Sequence, residues 1–571
     1  MTLEPIHPRD SVVTSPRRGF TKACLTGLLA IAALITLGYW GWRGLKAWDT
    51  EAMESPLMMS VARQLVVGPG ELYGPFGAGN PLVLIHAPLY YRLAALTAWP
   101  LYRAGFELTE AARIAGRGLS ALSLLATLAV AYRLARLGGG SRLAGWWAAL
   151  LLAASPLLAG QPFAVRPDML GIALQSAGLY LILSALVGEG RSNSRILWGY
   201  VAFGLALCVK QHLVVEAGIC TVFLIWKSRG AGIPISTIAR AIAVCALIVT
   251  TVYGAEWVIT GGEIWNSAFV AARQVGQIYP GGFRHCGLIL YAITRRETAL
   301  LALIALTGLT ALSFSSGALR KTIAILGALI YGLIVANIVF NLIYHKSDLE
   351  IPAYGIALTA GLCFLGCRLF AREWLDGHWI DAILWLCLAA ELAVTLALAY
   401  LSTGSWLNYG IQAVVLGSIL TARAGARVVE ASPSPWALWP MAIGVLAIVL
   451  SSYNNLDEAE IDRRYNDAAV ETMLNNLKRP ANAFFFDESP GFNRISGRLE
   501  LVYDHWLYRV FESAHLAESR SAWIGQALQS RSLHGVVTSS DQPVLRGTNI
   551  SLRSFGFFPR FKVGHFYVWL R

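Results

Sequence analysis

Long apolar runs constrain this chain more than any other feature. Stretches such as Ala23–Tyr39, Met169–Val187 and Ile238–Ile259 carry few charges. At about 17–25 residues each, such runs cross the hydrocarbon core of a bilayer as α-helices. They are continuous rather than alternating, which argues against a β-barrel. Hydrophobic residues make up 56% of the sequence and charged residues 14%, too little charge to clothe a soluble protein of this size. The fold class is therefore an α-helical polytopic membrane protein.

Charge placement orients the helices. The polar N-terminal tail, residues 1–20, carries Arg17 and Arg18, and Lys22 precedes the first apolar run. No small-residue cleavage site follows, so Ala23–Tyr39 reads as a retained helix with its N-terminus in the cytoplasm. Residues 41–112 then form the first outside loop. The second span, Arg113–Leu137, ends in the basic stretch Tyr132–Arg142. The third is Leu143–Ala159, and Gln161–Asp168 follows it outside. The fourth, Met169–Val187, returns to the basic turn Gly190–Arg195 inside.

Ile196–Val209 and Leu213–Trp226 flank Lys210-Gln211-His212. They read either as one long helix or as two short helices meeting at the outer face. A mid-bilayer lysine costs about 2.5–3.5 kcal/mol or more, a penalty the two-helix reading avoids. A seventh span, Ile238–Ile259, leads to a long outside loop, Thr260–Arg296. Later spans turn at Arg320-Lys321, Tyr344–Glu350, Arg368 and Arg372, Ser402–Tyr409, and Arg423 and Arg427, ending with Trp436–Leu450. About thirteen spans put Ser451–Arg571 outside and most basic loops inside, the pattern of a multi-pass protein of the cell membrane.

The net charge of +12 is thereby attributed largely to cytoplasmic loops. No basic patch with interleaved aromatics stands out, so nucleic acid is not an expected partner. The chain divides into the tail, a transmembrane region at residues 21–452, and an extracytoplasmic domain at residues 453–571. In that domain Ala483–Phe486, Gly535–Thr538 and His565–Leu570 read as strands and Ser521–Gln529 as a helix, a small α/β layer. It holds no nucleotide-binding Gly-rich loop. Seven of the eight cysteines fall in or beside apolar runs; Cys286 alone lies in an outside loop. They read as small apolar packers rather than a disulfide or metal framework.

Chemistry is sought where charge sits at the outer ends of spans. The stretch Trp48–Arg92 carries Asp49, Glu51 and Glu54, then His86-Ala87-Pro88-Leu89-Tyr90-Tyr91-Arg92. Pro56–Val67 suits a short helix along the membrane surface, stopped by Gly68-Pro69-Gly70. Leu89–Leu101 is a second amphipathic piece. Glu54 reads as a functional acid or as a helix N-terminal acid favoured by the macrodipole. Arg166 and Asp168 form either a local ion pair or part of a site. Lys210 either snorkels or holds a phosphate. His86 is a satisfied ring or an anion donor, since histidine can carry charge near neutral pH. His345, Lys346 and Asp348 are weaker candidates of that kind, and Tyr90, Tyr91 and His212 are candidate substrate contacts. Tryptophans and tyrosines at helix ends read most simply as the interfacial belt.

The order of these motifs resembles the GT-C class of integral-membrane glycosyltransferases, nearest in pattern to the protein O-mannosyltransferase and aminoarabinose transferase group. Glu54 takes the place of the acid in the first outside loop. His86-Ala87-Pro88-Leu89 takes that of the Lys/His-Pro-Pro-Leu turn, with Ala87 in place of one proline. Arg117 through Ala135 matches an arginine-led helix, Arg166-Pro167-Asp168 an Arg-x-Asp, and Lys210 a lysine at the outer junction of two helices. The usual acid pair is adjacent; here Glu54 stands beside Met53, with Asp49 and Glu51 upstream.

The resemblance implies a transferase that takes a sugar from a polyprenyl-phosphate donor at the outer face and passes it to a glycan, lipid or protein acceptor. Glu54, Asp168, Asp49 and Glu51 supply the candidate catalytic carboxylates. Lys210, His86, Arg166 and Lys346 supply candidate donor-phosphate contacts. Some class members bind a divalent metal with such acids and others need none; the acids here are few and scattered for a hard-cation cage. Two other readings compete, a transporter or flippase of lipid-linked glycans and a non-catalytic envelope-assembly protein. A transporter predicts repeats and broken mid-membrane helices, whereas the charge here gathers at the outer edge without a repeat.

Overall fold

The computed structural model describes residues 16–46, 54–73, 84, 86–159, 161–187, 192–231, 233–297, 300, 379–402, 407–431 and 441–450 of the membrane region. Of the C-terminal part it describes residues 484–487, 520–529, 533–538, 541–545, 550–563 and 566–571. Asp49, Glu51, His345, Lys346 and Asp348 lie outside the described residues, as do Arg320-Lys321, Arg368 and Arg372.

The helices follow the apolar runs. They are α1 (Pro16–Lys46), α2 (Glu54–Val66), α3 (Leu89–Arg103), α4 (Leu108–Arg136), α5 (Arg142–Ala153), α6 (Pro156–Ala159), α7 (Asp168–Val187), α8 (Asn193–Val209), α9 (Val215–Ala231) and α10 (Ile235–Ile259). Among the described residues six helices are long and apolar enough to cross a membrane, or seven if the bent pair α5–α6 counts as one span. The bend has a local cause. Pro156 cannot continue the hydrogen-bond ladder, and the buried Glu297 carboxylate accepts from Ser155 Oγ at 2.6 Å and Leu157 N–H at 2.9 Å.

The chain breaks between α8 and α9, as in the two-helix reading of that stretch. Lys210 ends α8 in an extended conformation. It does not sit exposed at a membrane surface, since only 5% of it is accessible.

Two segments expected outside the membrane prove well structured. The expected outside loop Thr260–Arg296 is largely helical. After Gly261 and Gly262, both at positive φ, come the helical turns α11 (Glu263–Trp265), a π turn at Asn266–Ala271, α12 (Ala272–Ile278) and α13 (Phe283–Arg296). The expected surface helix α2 is packed into protein. Met58, Met59, Val61, Ala62, Arg63 and Gln64 are all buried, and α2 packs on α3 and α4. Its apolar stripe meets protein, and its polar side chains find partners: Arg63 pairs with Glu71 at 2.9 Å.

The central layer is α4, α7 and α8, with α5 against α4 and α10 against α8. At the α7–α8 crossing Gly178 and Gly199 face each other. A Cβ on Gly178 would lie 2.9 Å from the Gly199 carbonyl oxygen, so only hydrogen fits there. Small residues allow this approach where lipid offers no hydrophobic drive between helices. The helices α14 (Trp379–Leu401) and α15 (Ile411–Ala431) complete the described bundle, α15 packing on α5 and α14. At one end Arg423, on α15, donates to Asp381 and to the carbonyls of Ala135 and Leu137 at 2.8 and 2.6 Å. This caps the C-terminus of α4 with a cation, where the dipole favours one.

The C-terminal part forms a four-stranded sheet of β1 (Phe484–Asp487), β2 (Leu533–Thr538), β3 (Phe558–Val563) and β4 (Phe566–Leu570) in the order β1-β2-β4-β3. The β1–β2 pair is parallel and the other pairs are antiparallel. The helix α16 (Arg520–Gln529) packs on β2. Strand β3 is additional to the three strands expected; Pro559, Arg560 and Lys562 interrupt its apolar pattern. Trp569 on β4 is buried and its indole N–H reaches Thr538 Oγ1 on β2 at 2.8 Å.

Candidate active site

The candidate site lies at the end of the bundle where α7 begins and α8 gives way to α9. Asp168 opens α7 directly after Pro167, where a carboxylate complements the helix dipole. Its Oδ1 accepts from Lys210 Nζ at 2.5 Å and from Asn408 Nδ2 at 3.1 Å. Arg166 Nη1 stands 4.0 Å from Oδ2. The main partner of Asp168 is therefore the distant lysine, with Arg166 as second cation.

Aromatic and imidazole rings line the lysine. Lys210 Nζ lies 4.8 Å from the centre of the Tyr409 ring, close enough for cation–π attraction. The same ring lies 4.5 Å from that of His212. Both His86 and His212 feel the charges of Lys210 and Asp168. Burial first, then the nearby lysine, pushes His86 down to about 4 and His212 down to about 3. These shifts favour the neutral form of both rings. Arg166 is lowered too, by burial.

Glu54 occupies the adjoining position. It is fully buried at the start of α2. Arg117 on α4 donates Nε to Oε1 at 2.7 Å and Nη2 to Oε2 at 2.8 Å, and Val165 N–H reaches Oε1 at 2.9 Å. Only Arg166 and Pro167 separate Val165 from Asp168, so one short segment serves both carboxylates. Tyr90 bridges them. Its hydroxyl donates to the Gly116 carbonyl at 2.9 Å and lies 3.0 Å from Ser120 Oγ, which donates to the Arg166 carbonyl at 3.1 Å. Tyr91 is fully buried, and its hydroxyl has no partner among the described residues.

The turn His86–Arg92 is anchored at both ends. The Tyr73 hydroxyl donates to the His86 carbonyl. Arg92 makes two bonds to Glu256 on α10, at 2.7 and 2.6 Å, and one to Gln64 on α2 at 2.8 Å.

The structure thus gathers Asp168, Lys210, Arg166, His86 and His212, with Glu54, Tyr90 and Tyr91 alongside. Asn408 and Tyr409 were missed as site residues, although the sequence puts them where a predicted outside loop enters a span. Arg117 was read as the head of a helix rather than as the partner of Glu54. Among the described residues no three His, Cys, Asp or Glu side chains gather as metal ligands.

Residues 94–254 match the family described as dolichyl-phosphate-mannose-protein mannosyltransferase. Among solved structures the chain is similar to ArnT from Cupriavidus metallidurans bound to undecaprenyl phosphate, at 14% identity and a TM-score of 0.52. That match covers 96% of this chain and 98% of that one. It is also similar to the Archaeoglobus fulgidus oligosaccharyltransferase in complex with Zn and sulfate, at 14% identity and a TM-score of 0.44, over 89% of this chain and 67% of that one. No curated protein matches the sequence significantly.

Proposed function

From the premise that its membrane region has the fold of the GT-C glycosyltransferases, we propose that this protein transfers a sugar from a polyprenyl-phosphate donor to an acceptor hydroxyl at the extracytoplasmic face. The observation that carries the reading is the buried Lys210–Asp168 pair with Arg166 beside it. Two cations face one carboxylate, and two neutral imidazoles stand near. The surplus positive charge suits an anion, and a sugar phosphate brings one.

The chemistry follows from that exchange. The donor phosphate draws Lys210 and Arg166, with His86 and His212 offering N–H donors. Asp168 is thereby released from Lys210 and free to accept a proton. The acceptor hydroxyl attacks the anomeric carbon and its proton passes to Asp168. The bond from that carbon to the phosphate oxygen breaks, and its electron pair stays on the phosphate, where the cations stabilise the growing charge. Glu54, with both oxygens engaged, holds Arg117 and the Val165–Asp168 segment in place. Of the candidate carboxylates, Asp168 is thereby the proposed base. Tyr91 lies near Asp168, and its hydroxyl supports a contact to sugar or acceptor.

The matched family's description and the undecaprenyl phosphate bound by the relative support the lipid-phosphate donor class. The acceptor class is a hydroxyl of a glycan, lipid or protein. The test uses membranes carrying the protein and a panel of radiolabelled polyprenyl-phosphate sugars. One label should leave its lipid with the wild type and stay with Asp168→Asn. No release from any donor, or equal release by Asp168→Asn, would overturn the proposal.

A further inference from the structure

Beneath the candidate site lies a second acidic cluster that the chemistry above does not use. Glu216 on α9 and Glu391 on α14 are 0% and 1% exposed. Around them are Gln175 and Ser176 on α7 and Gln412 on α15, all buried. Gln175 Nε2 donates to Glu391 Oε1 at 2.9 Å, and Gln412 Nε2 to Glu216 Oε1 at 2.7 Å. Gln175 is seven residues along α7 from Asp168, about 10 Å deeper at 1.5 Å per residue.

We infer that Glu216 and Glu391 form a proton-holding pair and act as positioning residues for the Asn408–Tyr409 turn that leads into α15. The two carboxyls lie close enough to act on each other directly. Carboxylates are acceptors only, so a bond between them needs a proton on at least one. The other titratable groups bearing on the pair are Cys220 on α9 and Cys387 on α14. Among the described residues none of these neighbours is basic, and two adjacent buried carboxylates without a counter-cation do not both ionise. Two buried acceptors, Glu216 Oε2 and Gln175 Oε1, find no N–H or hydroxyl donor among the described residues, so a carboxyl proton has a place to go.

The link to the site runs through α15. Gln412 follows Asn408 by four residues, one helical turn. Its bond to Glu216 sets the rotation of the turn that presents Asn408 to Asp168 and Tyr409 to Lys210. On α14, Thr395 is one turn beyond Glu391 and donates to the Tyr409 carbonyl at 3.1 Å. Loss of the proton would leave two like charges driving α9 and α14 apart, and with them Lys210, Asn408 and Tyr409.

Three readouts test this on the full-length protein. An infrared band of a protonated carboxyl, sensitive to deuterium, should be present in the wild type at pH 7.5 and reduced in the double variant Glu216→Gln/Glu391→Gln. Between pH 7.5 and 9.5 the folded state should hold a proton that the unfolded chain lacks, so stability falls as pH rises. Each such proton raises the unfolding constant about tenfold per pH unit, and the slope of the double variant should be smaller by that amount; cysteines, which ionise near about 8.5 in the unfolded chain, contribute alike to both proteins. His86 and His212 are neutral in both states over this range and add nothing. Turnover should show an alkaline fall in kcat in the wild type that is absent in the double variant, with KM for the donor unchanged at pH 7.5. Glu391→Gln should keep activity that Glu391→Ala loses.

An unchanged band or an unchanged slope in the double variant would overturn the proton. A shared alkaline limb would overturn the positioning role. Only the turnover readout rests on the transferase reading. Absence of any transfer would retire that reading and the positioning role together, while the infrared and unfolding results still decide the proton.

Discussion

Arg117 grips Glu54 with two parallel hydrogen bonds, at 2.7 and 2.8 Å, in a setting where the carboxylate is wholly buried. The pair is 63 residues apart in sequence. Breaking a buried pair by removing one partner strands a charge and costs about 3–5 kcal/mol. Arg117→Met should lower thermal stability in detergent on that scale, and Glu54→Gln/Arg117→Met should recover part of it. Strictly additive losses would show that the two side chains do not depend on each other.

Lys210 is predicted to matter for the anion rather than for the fold alone. Lys210→Met removes the cation facing the donor phosphate. Transfer should drop by roughly 10²–10³, the usual loss when one stabilising group is removed from a developing oxyanion. Asp168→Asn/Lys210→Met, which leaves no buried unpaired carboxylate, should regain stability without regaining transfer. Calorimetry and label transfer on the same preparations separate the two effects.

The histidines give an acid-side signature. His86 and His212 are held below the usual histidine value by burial and by Lys210, at about 4 and about 3. Between the ordinary value near 6.5 and those values the unfolded chain binds protons that the folded chain does not. The stability these two histidines contribute should therefore fall as pH drops below about 6.5, and be constant above it. His86→Asn/His212→Asn should flatten that limb in a thermal-shift series.

Gly116 couples backbone packing to the site. A Cβ there would stand 2.6 Å from Val165 Cγ1, and Val165 supplies an N–H to Glu54. Gly116→Ala should cost about 1–3 kcal/mol, the usual range for overpacking, and reduce kcat as the Val165–Asp168 segment shifts. A variant with wild-type stability and turnover would mean that Val165 can give way freely.

Arg423 serves as the contrasting case. It clamps Asp381 and the end of α4, eighteen residues beyond Arg117 and so about 27 Å away along that helix. Arg423→Met should destabilise by about 1–3 kcal/mol, because the Ala135 and Leu137 carbonyls lose their donor, while Asp381 keeps Arg427 at 2.7 Å. Because it is remote from the site, KM for the donor should stay unchanged in the fraction that remains folded.

Several site residues were legible because each carries a local signal. Asp168 follows a proline at a helix start, and Lys210 interrupts an apolar run, so both were candidates on sight. Arg117 and Asn408 carry no such mark. An arginine near the start of a span and an asparagine in a polar turn are ordinary until their partners are known, and those partners lie 63 and 240 residues away. The stretch Thr260–Arg296 misled for the opposite reason: its glycines and charges read as loop, while its helices are short segments that hydropathy windows do not resolve.

Apolar run length determined from the sequence alone that the chain is a helical membrane protein, because a bilayer forces each spanning segment to satisfy its own backbone. Sequence order likewise exposed the acids, the lysine and the proline turn as a set. Only the tertiary structure decided how they pair: Glu54 with Arg117, Asp168 with Lys210 and Asn408, and Glu216 with Glu391. Pairing depends on which helix faces meet, and in a bundle that is settled by packing between residues far apart in the chain. Periodicity along the chain carries no record of it.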